Sequence, residues 1–80
     1  MSPEYIELTA HFDKQGTITP LHFTWKGGVY RLESIGRRWV DEAGQHILGM
    51  VTNGQIYELT FESGEGRWYI EPGGAGRSLV

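Results

Sequence analysis

Leu21, Phe23 and Trp25 alternate with polar residues as the chain approaches Gly27-Gly28, and Tyr30 and Leu32 resume the alternation beyond it. A period of two on both sides of a glycine pair is the pattern of two half-buried strands folded back as a hairpin. A two-residue Gly27-Gly28 turn pairs Trp25 with Tyr30, Phe23 with Leu32 and Leu21 with Ser34, so the apolar faces of the two arms coincide. No stretch of ten or more residues repeats its apolar positions at 3.6, so no helix is expected to cover this hairpin. Its apolar face must be buried against more strands.

The chain supplies them. Tyr5 to Phe12 alternates, with Ile6, Leu8, Ala10 and Phe12 on one side, and Asp13-Lys14-Gln15-Gly16 forms a polar turn. A second strand runs from Thr17 to Trp25. Pro20 within it cannot donate to a ladder, which places it at an edge or a bulge. The third strand, Val29 to Ile35, continues past a bend or bulge at Gly36 into Arg37-Arg38-Trp39-Val40, and Asp41-Glu42-Ala43-Gly44 turns the chain again. Asn53-Gly54 then separates His46–Thr52 from Gln55–Phe61, and a two-residue turn there pairs Met50 with Tyr57 and Leu48 with Leu59 on one face and Val51 with Ile56 on the other. A sixth strand, Arg67 to Glu71, sets Trp68 opposite Phe61 and Ile70 opposite Leu59.

The expected fold is all-β: a six-stranded antiparallel meander curled into a small SH3-like barrel or half-barrel, because a flat sheet would leave two bare edges. A two-layer sandwich is the alternative. Eighty residues make one domain, taken as 1–72, with 73–80 as a flexible C-terminal tail. There is no cysteine to staple so small a core, so it rests on three Trp, four Tyr, three Phe and the aliphatics. No apolar run reaches the roughly 20 residues that cross a bilayer, and MSPEYIEL lacks the layout of a secretory signal. A cytoplasmic protein without membrane contact is expected.

The net charge of −3 argues mildly against strong, non-specific nucleic-acid binding, yet the charge is segregated. Residues 1–20 carry −2. Residues 21–39 carry +3, from Lys26, Arg31, Arg37 and Arg38 against Glu33. Residues 40–80 carry −4.

Signals for chemistry are absent: no Walker-type phosphate loop, no GxSxG, no HExxH, and no His and acid placed near Ser34 or Ser63. Neither an enzyme nor a cofactor is expected. His11 falls on a polar strand face, His22 is placed to pair with Glu33 across the hairpin, and His46 sits near a strand start. Solvated or edge histidines are expected, with no metal. Asp41, Glu42, Glu62 and Glu65 read as solvated turn acids, too few in oxygen ligands for calcium.

The basic segment is the one constellation that points to binding. Val29, Arg31, Glu33 and Ile35 point away from the core face of Tyr30 and Leu32. Beyond Gly36, Arg37 and Trp39 share a face and Arg38 takes the other. Tryptophan among arginines can stack a base while guanidiniums hold phosphate, or can anchor a protein interface. It can also be an ordinary core ring beside solvated charges. Arg67 and Tyr69 are expected outward beside a core Trp68, as a weaker second patch.

Residues 20–39 also resemble a small bacterial β-rich domain of unknown function. The pattern is Pro20, then Phe23-x-Trp25-x-Gly27, Tyr30 and the Arg38-Trp39 pair. Later come Tyr57-Glu58-Leu59 and a closing Gly66-Arg67-Trp68-x-Ile70. Such domains occur free-standing and at the C-terminus of proteins similar to Y-family, error-prone DNA polymerases. Where a more basic, tryptophan-rich strand is expected after Arg38-Trp39, this chain has His46-Ile47-Leu48-Gly49-Met50. The resemblance implies a fold and a DNA-repair or mutagenesis setting rather than particular binding residues.

Together these readings give a non-enzymatic accessory or protein-interaction domain, monomer or homodimer, with exposed Pro20 and strand edges open to the dimer. The candidate binding residues are Arg31, Arg37, Arg38, Trp39, Arg67 and Tyr69. A weak single-stranded nucleic-acid-binding module using segment 31–39 is the alternative.

Overall fold

The computed structural model describes residues 4–71, so the tail expected at 73–80 lies outside the described residues. Six strands follow one another: β1 (Glu4–Phe12), β2 (Ile18–Trp25), β3 (Gly28–Asp41), β4 (Gly44–Val51), β5 (Ile56–Glu62) and β6 (Arg67–Glu71). Each pairs antiparallel with the next, and β6 returns to β1, with Glu4 opposite Ile70 and Ile6 opposite Trp68. The meander is therefore a closed small barrel. No helix among the described residues is long and apolar enough to cross a membrane.

Two strands turn the corners. β1 pairs with β6 through Glu4–Ile6 and with β2 through Glu7–Phe12. β3 pairs with β2 through Gly28–Arg31 and with β4 from Leu32 to Asp41. The barrel is thus a three-stranded and a five-stranded sheet that share β1 and β3. β2 is incompletely held on both sides, because its pairing with β1 stops at Thr24 and its pairing with β3 starts only at His22. Side chains span the gaps. The Trp25 indole donates to Glu4 at 2.7 Å, and Arg38 donates to the carbonyl of Ile18.

Bulges place the side chains. The ladder expected to break near Pro20 does so at Leu21, the extra residue between the Thr9–His22 and Ala10–Pro20 pairs. The bulge reverses the alternation. Ile18 and Pro20 face inward before it and Phe23 after it, while Leu21 is turned out, 45% exposed. Leu21 is therefore not on the face of Phe23 and Trp25, and Pro20 is buried rather than exposed. β3 carries the bulge expected at Gly36, across Gly36-Arg37, and a second at Glu33. The second swings Ile35 back against the core, correcting its expected outward direction.

Two turns differ from expectation. The β2–β3 turn is Lys26-Gly27, both at positive φ, not Gly27-Gly28. Trp25 faces Gly28, Phe23 faces Tyr30 and His22 faces Arg31 instead of Glu33. This is a slip of two in pairing, so the inward and outward sets survive. The β4–β5 turn has three residues, Thr52-Asn53-Gly54, closed by hydrogen bonds between Val51 and both Gly54 and Gln55, with Gly54 at φ 89°. Here the slip is one, which exchanges the faces of β4 relative to β5. Ile47 faces Leu59 and Gly49 faces Tyr57, while Leu48 and Met50 lie outside, opposite Glu58 and Ile56.

The core contains Ile18, Phe23, Ile47, Val51, Tyr57, Leu59, Trp68 and Ile70, with Ile6, Leu8, Ala10, Trp25, Tyr30, Leu32, Ile35 and Phe61 packed against it. Phe23 stacks on Tyr30 at 5.2 Å, and Tyr57 meets Phe23, Trp25 and Tyr30 edge-on. Phe61 meets Trp68 across β5 and β6, as expected.

Candidate functional site

The outer face of the five-stranded sheet holds a feature that spans its whole width. Trp39 of β3, His46 of β4, Thr60 of β5, Tyr69 of β6 and Tyr5 of β1 occupy successive opposing positions. Their side chains therefore form one continuous row. Trp39 stacks on His46 with ring centroids 5.0 Å apart and planes 10° from parallel. Tyr69 and Tyr5 meet edge-on at 5.8 Å. Each end carries an arginine: Arg37 lies 5.6 Å over the Trp39 ring and Arg67 lies 4.1 Å over that of Tyr5. Such cation–π contacts contribute roughly 0.5–1 kcal/mol at exposed sites.

The middle of the row is sealed although it lies outside the barrel. His46 is 6% exposed, Thr60 0% and Tyr69 7%. Tyr69, expected outward, does take the outer face, but it is buried there between Tyr5 and Thr60. Burial pushes the Tyr69 phenol up, with the Thr60 hydroxyl offsetting part of the effect.

His46 is the hub, and its burial corrects the expectation of a solvated or edge histidine. Nε2 lies 2.7 Å from Asp41, and Nδ1 lies 3.1 Å from Glu58 and 2.9 Å from Thr60 Oγ1. Asp41 is thus more than a solvated turn acid. The hydrogen bond from His46 and that from the Ala43 amide hold its carboxyl below the usual value. The chain Asp41–His46–Thr60 has the connectivity of an acid, a base and a hydroxyl nucleophile. Thr60 is fully enclosed, however, so no substrate carbonyl can reach its oxygen. Among the described residues, no group of three or more His, Cys, Asp or Glu side chains is arranged to hold a metal.

The remaining candidates divide. Arg37 and Trp39 share a face, as expected, and lie together at one end of the row. Arg38 instead donates through Nη1 to the Ile18 carbonyl, so its guanidinium serves the gap between β2 and β3. Arg67 is exposed but occupied by Tyr5, with Glu62 and Glu65 at 3.8 and 3.9 Å. Arg31 is exposed opposite His22 in the three-stranded sheet, before both bulges of β3.

The row was invisible in the sequence because it depends on the β4–β5 register. A two-residue turn sets His46 opposite Phe61, whereas the three-residue turn sets it opposite Thr60. With that register in hand, plain alternation finds every member. Compared with protein-family models, curated proteins and solved structures, the chain matches none.

Proposed function

We propose that this barrel is a non-enzymatic accessory domain that binds another protein through the outer surface around Arg37 and Trp39. The observation that carries the reading is the arginine-capped row. It presents a tryptophan, a tyrosine and two arginines on a stiff sheet, and these residue types are enriched among the anchors of protein interfaces. Stacking on His46 orders the indole before any partner arrives, which lowers the entropy lost on binding.

The charges around the row favour protein over nucleic acid. Asp41, Glu58 and Glu71 share the face with Arg37, and Arg38 and Arg67 already have partners inside the domain. Among the described residues of this face, a phosphodiester chain would meet Asp41, Glu58, Glu62 and Glu71 against Arg37, the arginine not already held by an acceptor within the domain. The motif resemblance supports a bacterial setting in DNA repair or mutagenesis.

Arg37→Glu and Trp39→Ala test the reading. A specific partner should co-purify with the wild-type domain and be lost from both variants, while the Arg37→Glu domain keeps a melting temperature near wild type. Equal recovery by wild type and variants would sink it. Retention on single-stranded DNA at about 50 mM salt, weakening steeply as salt rises, would favour the nucleic-acid alternative.

A further inference from the structure

A neutral imidazole carries one N–H and one lone pair, whereas an ionised carboxylate only accepts. His46 faces a carboxylate at each nitrogen: Asp41 at Nε2 and Glu58 at Nδ1. Both contacts become hydrogen bonds only when the ring holds two protons. Thr60 Oγ1, 2.9 Å from the same Nδ1, provides for the other state. A hydroxyl can donate as well as accept, so when Nδ1 is bare the Thr60 proton can turn onto it. The ring is then satisfied and Glu58 is left without its histidine. The ring has two satisfied hydrogen-bond arrangements, which differ by one proton and by whether β5's carboxylate is held.

The surroundings make that difference count. The Glu58 side chain is only 12% exposed, and His46 is its one hydrogen-bond partner among the described residues. Leaving one member of a buried ionic pair unpaired is strongly unfavourable. β3 contributes Asp41, the Trp39 ring and the Arg37 guanidinium above it. β5 contributes Glu58 and Thr60. β6 contributes Tyr69 and Glu71, the latter directly opposite Glu58, a like-charge pair that opposes itself. On β4 the outer neighbours Gly44 and Leu48 are uncharged, and Tyr5 of β1 lies beyond Tyr69. Asp41 and Glu58 therefore touch the ring, Glu71 and Glu62 stand to either side on the same face, and among the described residues the cations nearby are Arg37 over Trp39 and Arg67, which Tyr5, Glu62 and Glu65 already occupy.

We propose that His46 is a pH-operated clip: doubly protonated, it ties the β3–β4 turn to β5 and steadies Trp39, and on losing the Nδ1 proton it releases Glu58 and loosens the Trp39 surface. Its regulatory meaning rests on the interaction reading above. The clip itself rests on these hydrogen bonds and can be tested without a partner, so its failure would leave the interaction reading standing.

The test is side-chain and backbone ¹H–¹⁵N NMR of the whole chain from about pH 5 to about pH 8, the range in which histidine changes charge. The expected result is one coupled step. Nδ1 of His46 loses its proton, Nε2 keeps its own, and the Trp39 indole and the amides of Asp41 to Gly44 and of Glu58 shift at the same midpoint. Glu58→Gln should abolish the coupling, because the amide can donate to a bare Nδ1. A His46 ring that does not titrate in this range overturns the proposal. So does one that titrates while the Trp39 indole and turn amides stay still, or a Glu58→Gln variant that keeps the coupled step. The wild-type titration decides the matter by itself if that variant does not fold.

Discussion

Arg38, on the face of β3 turned away from the Trp39 row, donates to the main-chain carbonyl of Ile18 at the start of β2, across the stretch where those neighbouring strands share no ladder. A long side chain therefore stands in for a missing set of backbone hydrogen bonds. Two adjacent arginines in one motif divide their work: Arg37 lies over an indole and Arg38 holds the barrel together.

Arg38→Ala should accordingly destabilise the domain by about 1–2 kcal/mol, since it leaves a carbonyl without its charged donor. Arg31→Ala, at an exposed position outside the row, should change stability by no more than about 0.5 kcal/mol. Urea midpoints at unchanged slope give both values. Equal effects would mean that the Arg38 bond adds nothing.

Gly49 allows the Leu32 side chain a close approach. A Cβ built there lies 2.5 Å from Leu32 Cδ2, inside the core beside Leu59. Gly49→Ala should cost about 1–3 kcal/mol by overpacking. Shortening the obstructing side chain in a Gly49→Ala, Leu32→Val double variant should cost less than the two single changes added together. Additive losses would show that the strain lies elsewhere.

The Asp41 carboxyl sits below its ordinary value because His46 and the Ala43 amide hydrogen-bond its charged form. The unfolded chain binds the proton more readily, so the stability this group contributes is complete above its unfolded value. It is lost as pH falls through the folded one. Asp41→Asn should flatten the acid limb of stability between about pH 5 and about pH 2 while lowering stability near neutrality. Thermal melts across that range make the comparison, and parallel curves for variant and wild type would contradict it.

At the alkaline end the sign reverses. Burial raises the phenols of Tyr57 and Tyr69, with Tyr30 adding to the effect at Tyr57. Their contribution is intact below about pH 10, where free tyrosine titrates, and disappears as pH climbs through the higher folded values. Tyr57→Phe should resist alkaline unfolding better, relative to its own stability at pH 7, than wild type does. A steeper loss in the variant would argue against it.

Strand number and approximate bounds were legible because alternation and turn residues are local properties, whereas closure of β6 on β1 is a long-range pairing that no local pattern carries. Arg67 to Glu71 was placed to the residue, and the bulge at Gly36 followed from one glycine. Registers were less legible. Asn53-Gly54 suits both a two- and a three-residue turn, and β4 is apolar on both faces, so Ile47 and Val51 could not be told from Leu48 and Met50 by pattern. The surface row, with His46, Thr60 and Tyr69 buried at its middle, is built from five strands at once, which no local window sees. The candidate site was half legible for the same reason. Arg37 and Trp39 share a face by simple alternation, but the role of Arg38 depends on β2, some twenty residues earlier, lying across the gap.

Because β6 closes on β1 with Ile70 beside Glu4, the described fold begins and ends in neighbouring positions. A barrel of this kind can be spliced into a loop of a larger protein without forcing the host's two strands apart, and its own order can be rotated. A circular permutant that joins Glu71 to Glu4 through a short linker and opens at Asn53-Gly54 would keep every strand pairing while exchanging which hairpin is made from a continuous chain.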